Sequence, residues 1–561
     1  MKTLLQTRID AAMGRTPCDF TLRNVQYLDV FSCEWRLGDV SFVNGTIVGL
    51  EPGLKATRTV DGKGKFLVPG FIDAHVHVES SLLIPSYFQR AVLPMGTTTA
   101  VCDPHELTNV LGVEALRYFL SQAEKLKLDL RVMLSSCVPA THLETNGGGV
   151  VSASDLIPFR SHPKALGLAE MMNVPGVIHN DPAILEKLEA FSTMLMDGHC
   201  PLVSGQALSA YAAAGISSCH ESSQLEEARE KLTKGISVWI REGSVAKDLH
   251  ALSPLLTLAT SSSIGFCTDD RNPLDITSEG HIDYLIRESI RLGVPSEVAY
   301  RAASWSVARH YGLDRGIHRK GAIAPGYQAD LVLLDDAESV AIREVFQAGT
   351  PVSELDLSIE SQLKIENTVH AQSPEVADLE GPTGRVHVIG VRAGQILTDR
   401  HVMNHDDAGV ARLSVLERHG KGSKPANAYV TGFGKNFKGA IASSVGHDSH
   451  NLIVVGDRPS DMKVALNALI ESGGGFCVVR DGQVLSQLAL PFGGLMSSEE
   501  PQSIEKSLRS LREASRSVGC ELQEPFLQLA FLSLPVIPSL KLTDQGLVDV
   551  EAFRMIDVRA S

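Results

Sequence analysis

Apolar and polar residues alternate with a period of two in three stretches near the start of the chain, TLRNVQYLDV, DVSFVNGTIVGLE and TRTVDGKG. Asn-Gly and Gly punctuate them, so residues 20–60 are predicted to form short β-strands. From residue 66 the pattern changes to short continuous apolar runs, each ending in polar residues. FLVPGFIDAHVH, GTTTAVCDPHE, DLRVMLSSCV and ALGLAE are the first four, and STMLMDGH, ISSCHES, SVWIREGS and SIGFCTDD the next four. Helical patterns separate most of these runs. The segment 107–127 predicts one helix after the second run, and SSQLEEAREKLTKG predicts another between the sixth and seventh. Eight alternations of strand and helix predict parallel βα units that close into a (β/α)8 TIM-like barrel.

Beyond the barrel, GAIAPGYQADLVLLDD is β-like again. If it pairs with the first strands, the barrel is inserted in a small β domain built from both flanks. The strands TGRVHVIGV, NLIVVG, GFCVVR and GQVLSQLAL, with helices SDMKVALNALIES and SIEKSLRSLREAS, predict a separate C-terminal α+β domain. The expected division is 1–65 and 313–360 for the two parts of the composite β domain, 66–312 for the barrel and 361–561 for the C-terminal domain.

Composition narrows the function classes. The 561 residues carry 51 Lys and Arg against 66 Asp and Glu, a net charge of −15, which disfavours nucleic-acid and anionic-membrane partners. Nine cysteines without a CxxC pair read as reduced thiols. The first residues lack the apolar run of a signal peptide, and no stretch is long and apolar enough to span a membrane. A cytoplasmic protein is expected.

The chemistry sits at the strand ends, where barrel enzymes place their sites. The first run ends in His75 and His77, two residues apart and therefore on one face. The fourth ends in Glu170, the fifth in His199, the sixth in His220 and the eighth in Asp269. Each residue alone has a plain structural reading; Asp269, for instance, could cap a helix. Six at the same end of successive strands point to a metal site of imidazole and carboxylate ligands, which suits Zn, Fe or Mn. Glu221 is a candidate for contact with substrate, provided the sixth strand ends at His220, since strand neighbours face opposite ways. Asp270 is the alternative to Asp269. His105 and Glu106 are expected in a loop at the barrel mouth, and Arg241 could bind a substrate acceptor or pair with a nearby acid. The downstream HDSH motif, His447, Asp448 and His450, reads as a polar turn or as a lid over the mouth, with LPFGGLMS as a mobile or tightly packed loop.

PGFIDAHVH, the strand-four ligand, two single histidines, the strand-eight Asp and GAIAPGYQADLVLLD resemble the amidohydrolase superfamily over about 20–345. DAHVHVESS, VCDPHELTNV, GHCPLVSG, CHESS, FCTDDRNP, GHDSHNL and LPFGGLMS extend the resemblance, to the adenine deaminase family, over nearly the whole chain. Many superfamily members bridge two metals with a carboxylated Lys from strand four. Here that position offers Glu170, and Lys164 lies before the strand. A bridging Glu is the adenine deaminase pattern.

The resemblance implies two divalent ions per chain, Mn or Fe ahead of Zn, although ligand type alone does not separate the three. His75, His77 and Asp269 would hold one ion and His199 and His220 the other, with Glu170 between them. It implies hydrolysis of adenine to hypoxanthine and ammonia by a metal-bound hydroxide attacking C6. Asp269 would move the proton, Glu221 would assist, and the chain would form a homo-oligomer, a homodimer. Two alternatives are the same site acting on an N6-substituted adenine or other aminated heterocycle, and a non-catalytic scaffold.

Overall fold

The computed structural model describes residues 3–358, 367–422 and 424–560. The expected boundary between residues 360 and 361 lies outside the described residues.

The two flanks of the barrel share one eight-stranded sheet. Cys18–Asp29, Glu34–Val43, Thr46–Gly49, Ala56–Asp61 and Phe66–Pro69 come from the first flank; Leu331–Asp336, Ala341–Gln347 and Thr350–Pro351 come from the second. The join is antiparallel, with Leu331 opposite Pro69 and Leu334 opposite Phe66. The chain thus leaves this sheet at Pro69 and returns to it more than 250 residues later.

Between those points eight parallel strands curl into a barrel-like ring: Phe71–Val76, Thr97–Cys102, Asp129–Leu134, Ala165–Met171, Leu195–Gly198, Ser218–Cys219, Ser237–Arg241 and Ile264–Cys267. Strands five and six meet through the Ser217 amide on the Met196 carbonyl, 3.0 Å. Strand eight returns to strand one just past its own end. Asp269 N donates to His75 O at 3.0 Å, and His77 N donates to Asp269 O at 3.2 Å. The strands are buried on both faces, as their continuous apolar runs require.

Three expectations need correction. The segment 107–127 is not one helix. Gly112, at φ 63°, separates His105–Leu111 from Val113–Lys125. A residue with a Cβ is strained in that left-handed conformation, so glycine marks the break. His105 and Glu106 do not lie in a loop; they open the first of these helices. The third run is also shorter as a strand than its apolar stretch suggests, ending at Leu134.

The C-terminal part is an eight-stranded sheet running from Arg385–Val391 to Gln483–Ala489, plus a three-stranded sheet over Leu540–Thr543, Gly546–Asp549 and Arg554–Ile556. Helix Pro459–Ser472 covers the larger sheet with Met462, Ala465, Leu466 and Leu469, a helical spacing of apolar positions, and stops at Gly473 in the left-handed conformation. No helix of the described residues is long and apolar enough to cross a membrane.

Candidate metal centre

All six expected ligands lie buried at one end of the barrel. His75 and His77 leave strand one on the same face, and their Nε2 atoms stand 3.1 Å apart. His77 Nδ1 faces the Asp103 carbonyl at 2.9 Å. That carbonyl can only accept, so the His77 proton sits on Nδ1 and the Nε2 lone pair is free for a metal.

Glu170 divides the histidines between its two oxygens. Oε1 lies 3.3 Å from His77 Nε2 and 3.8 Å from His75 Nε2. Oε2 lies 2.8 Å from His199 Nδ1 and 3.2 Å from His220 Nε2. Asp269 Oδ1 completes the first group, 3.2 Å from His77 and 3.5 Å from His75. Residues His75, His77 and Glu170, and residues Glu170, His199 and His220, each bring three donor atoms within 4.8 Å of one another. Buried nitrogens facing each other this closely, with carboxylates around them, make a donor set that fits divalent cations.

The electrostatics agree. Burial would raise the Glu170 carboxyl, but His220, His75 and neighbouring imidazoles hold it well below the usual range. Burial would lower His220, but Glu170 outweighs it and holds His220 at about 9. Asp269 is likewise held low against burial by hydrogen bonds from His75 and His77 and by Arg241.

The tandem Asp is resolved by the backbone. Asp269 has φ 53°, which swings its carboxylate onto the histidines. Asp270 instead accepts from Ser80 Oγ at 2.5 Å, and the same hydroxyl donates to Glu106 Oε1 at 2.8 Å. The sixth strand is only Ser218–Cys219, so it has ended before His220, and Glu221 faces the cavity beside it. Arg241 grips both oxygens of Glu221 and also reaches Asp269 Oδ2 at 3.0 Å and Asp248 at 3.2 Å. Its guanidinium is spent on acids, so the reading of Arg241 as a ligand for a substrate acceptor gives way to the acid-pairing one. Burial would raise Glu221, but Arg241 keeps it ionised.

His105 reaches the centre. Its Nδ1 lies 3.0 Å from Asp103 Oδ2 and 3.2 Å from Glu170 Oε1, and its Nε2 lies 3.6 Å from Asp448 Oδ1. The HDSH motif therefore comes to the barrel mouth from the C-terminal domain. Glu106, His447 and His450 form a further buried group of possible donors. However, His450 Nδ1 accepts the Gly446 amide at 3.3 Å, which puts the imidazole proton on Nε2 and leaves no lone pair there for a cation. Asp103 was not singled out from the sequence, although its place at a strand end in CDPHE carried the same signal as the ligands. Lys164 binds Asp129 at the opposite end of the barrel, 2.7 Å away, and takes no part.

Met172, Phe531, Leu534 and Ile537 add an apolar lining to the cavity these groups form.

The amidohydrolase family model matches residues 66–353, and the model of the adenine deaminase C-terminal domain matches residues 391–554. Adenine deaminase of Gluconobacter oxydans is 47% identical over 99% of this chain and 100% of its own length. The chain belongs to the adenine deaminase family. Adenine deaminase 1 of Agrobacterium fabrum is 46% identical, over 99% of this chain and 98% of its own. Adenine deaminase of Methylobacterium nodulans is 48% identical over 99% and 100%. Divalent metal use follows from the family and from the donor groups.

Proposed function

We propose that this chain hydrolyses adenine to hypoxanthine and ammonia at a pair of divalent metal ions. The observation that carries the reading is the division of four histidines between the two oxygens of Glu170, in a chain similar to adenine deaminases over nearly its whole length. His75, His77 and Asp269 would hold one ion and His199 and His220 the other, with the Glu170 carboxylate shared between the two groups. The ions are Mn or Fe before Zn. When bound, they bring the pKa of water toward neutrality and polarise the reacting centre.

The chain's own groups handle the protons. The reaction adds one water to C6 and expels ammonia, so one proton must reach ring nitrogen N1 and one the departing amine. Glu221, ionised by Arg241 and facing the cavity, carries the first from water to N1. Asp269, beside the histidines, carries the second to the amine. Arg241 is a positioning residue that holds both carboxylates at 5% exposure of its own side chain. The barrel, expected over 66–312, is read as an insertion in the β domain of 1–65 and 313–360, with Phe66–Pro69 belonging to the β domain and the barrel opening at Phe71. The protein is read as a cytoplasmic homodimer.

The test is to count metals per chain and to assay ammonia release from adenine, adenosine, guanine, cytosine and N6-methyladenine after loading with Mn, Fe or Zn. Two metals and ammonia from adenine are expected. Two metals with turnover of another amine only would transfer the site to that substrate. Neither metal nor activity would leave a scaffold.

A further inference from the structure

Asp448 stands out among the carboxylates of the cavity. Glu170, Asp269 and Glu221 each give both oxygens to histidines or to Arg241. Asp448 Oδ1 faces His105 Nε2 and His447 Nδ1, each at 3.6 Å. Asp448 Oδ2 has no hydrogen-bond partner among the described residues, although it is buried. The outer nitrogen of His447, Nε2, is also without one. Leaving a buried carboxylate oxygen and a buried imidazole nitrogen unpaired is costly, so both await a polar partner. Both side chains line the cavity, and the His447 ring stacks on Phe531 with centroids 4.6 Å apart.

The placement is specific. One imidazole, that of His105, separates Asp448 from Glu170. A flat bicyclic base with its amine-bearing carbon at the metal ligands therefore turns its far, five-membered ring toward Asp448. A free purine base has a single N–H on that ring, and an oxygen that can only accept is its complement. Leu534, Ile537 and Met172 supply apolar surface for the faces of such a base.

We propose that Asp448, assisted by His447, reads the imidazole N–H of the free base, so that the C-terminal domain excludes purines substituted on that ring. The inference rests on the adenine reading of the site. A pocket built to bond a substrate N–H rejects analogues lacking it by about 10⁴-fold in kcat/KM, because the buried acceptor is then left bare. Asp448 acts in recognition and does not touch the reacting carbon.

The test uses the full-length, metal-loaded enzyme with adenine, 7-methyladenine and 9-methyladenine, first on the wild type and then on Asp448→Asn. Expected for the wild type is a fall in kcat/KM of about 10³-fold or more for both methylated bases. Expected for Asp448→Asn is a loss of about 10²-fold on adenine, chiefly in KM, with discrimination against the methylated bases reduced to about tenfold and metal content unchanged. A merely structural role would lower all three substrates together. Equal turnover of adenine and 9-methyladenine by the wild type would overturn the inference while keeping the deaminase reading, as would an Asp448→Asn enzyme with its discrimination intact. No ammonia from adenine itself would sink both.

Discussion

The two ends of the barrel both bury charge, and they handle it in opposite ways. At the base, Asp129 lies between Lys164 at 2.7 Å, Arg131 at 3.0 Å and Lys320 at 3.2 Å, and Lys320 also holds Asp330 at 2.6 Å. Each charge has an opposite neighbour from the chain itself. Burial would raise Asp129, but Lys320, Arg131 and Lys164 outweigh it and take the carboxyl far below its ordinary range. At the mouth, two imidazole nitrogens face each other at 3.1 Å, the rings of His75 and His220 stack at 4.0 Å, and Asp448 keeps an oxygen bare. The base is complete as it stands. The mouth becomes complete only with cations and a ligand, which is how a chain separates structural charge from working charge.

The sharpest break of this comparison is Glu170→Gln. Removing the charge shared by both histidine groups should cost about 10³-fold or more in kcat and lower the metal count, with the fold kept. Steady-state rates and metal analysis check it, and full activity with full metal would remove Glu170 from the bridge. The mirror experiment at the base is Lys320→Met, which takes the cation from buried Asp330 and one of three from Asp129. It should cost about 3 kcal/mol of stability while leaving kcat on adenine near wild type, because a broken buried pair is penalised far from the chemistry. Denaturant unfolding alongside the ammonia assay separates the two effects.

Metal removal comes next. Ions that bind only the folded state stabilise it by about 2.7 kcal/mol at a free concentration one hundred times Kd. A chelator should therefore lower the Tm of the wild type, and lower that of Glu170→Gln less. Equal shifts would detach the stability of the mouth from its metals.

The smallest effect is in pH dependence. Asp129 has a depressed carboxyl in the folded state, so its contribution is present above its unfolded value near pH 4 and is lost only as pH falls below it. Glu144, beside the mouth, has the opposite sign. Burial first, and the Asp448 charge second, push it up to about 8. The folded state then holds a proton that the unfolded state releases, so stability declines from about pH 4 toward pH 8. Glu144→Gln should flatten that decline by a few degrees in Tm between pH 5 and 8, whereas a parallel profile would show that Glu144 does not titrate in that window.

Much of the mouth was legible in the chain before any tertiary contact. Apolar runs report buried strands, and a polar residue closing such a run reports the rim, so His75, His77, Glu170, His199 and His220, and one of the pair Asp269 and Asp270, could be named from position alone. Other features were not. The glycine break at Gly112 split the helix expected over 107–127 in two, because a single positive-φ residue interrupts the pattern without changing its periodicity, and the first helix starts at His105, inside the expected mouth loop. The role of Arg241 depended on where Glu221 and Asp269 converge, and no spacing along the chain encodes that distance.

Local sequence determined the strand phases, the rim residues and the absence of a Lys at the bridge, since side-chain alternation and apolar burial act over a few residues. Tertiary structure decided three things: that Asp269 meets the histidines while Asp270, lining the same cavity, accepts from Ser80, that Glu221 shares a face with His220, and that His447 and Asp448 reach His105. The first two depend on where a strand stops as the ring closes. The third depends on docking a domain more than 300 residues away in sequence, and contacts of that range are set by packed surfaces, which leave no periodic trace in the chain.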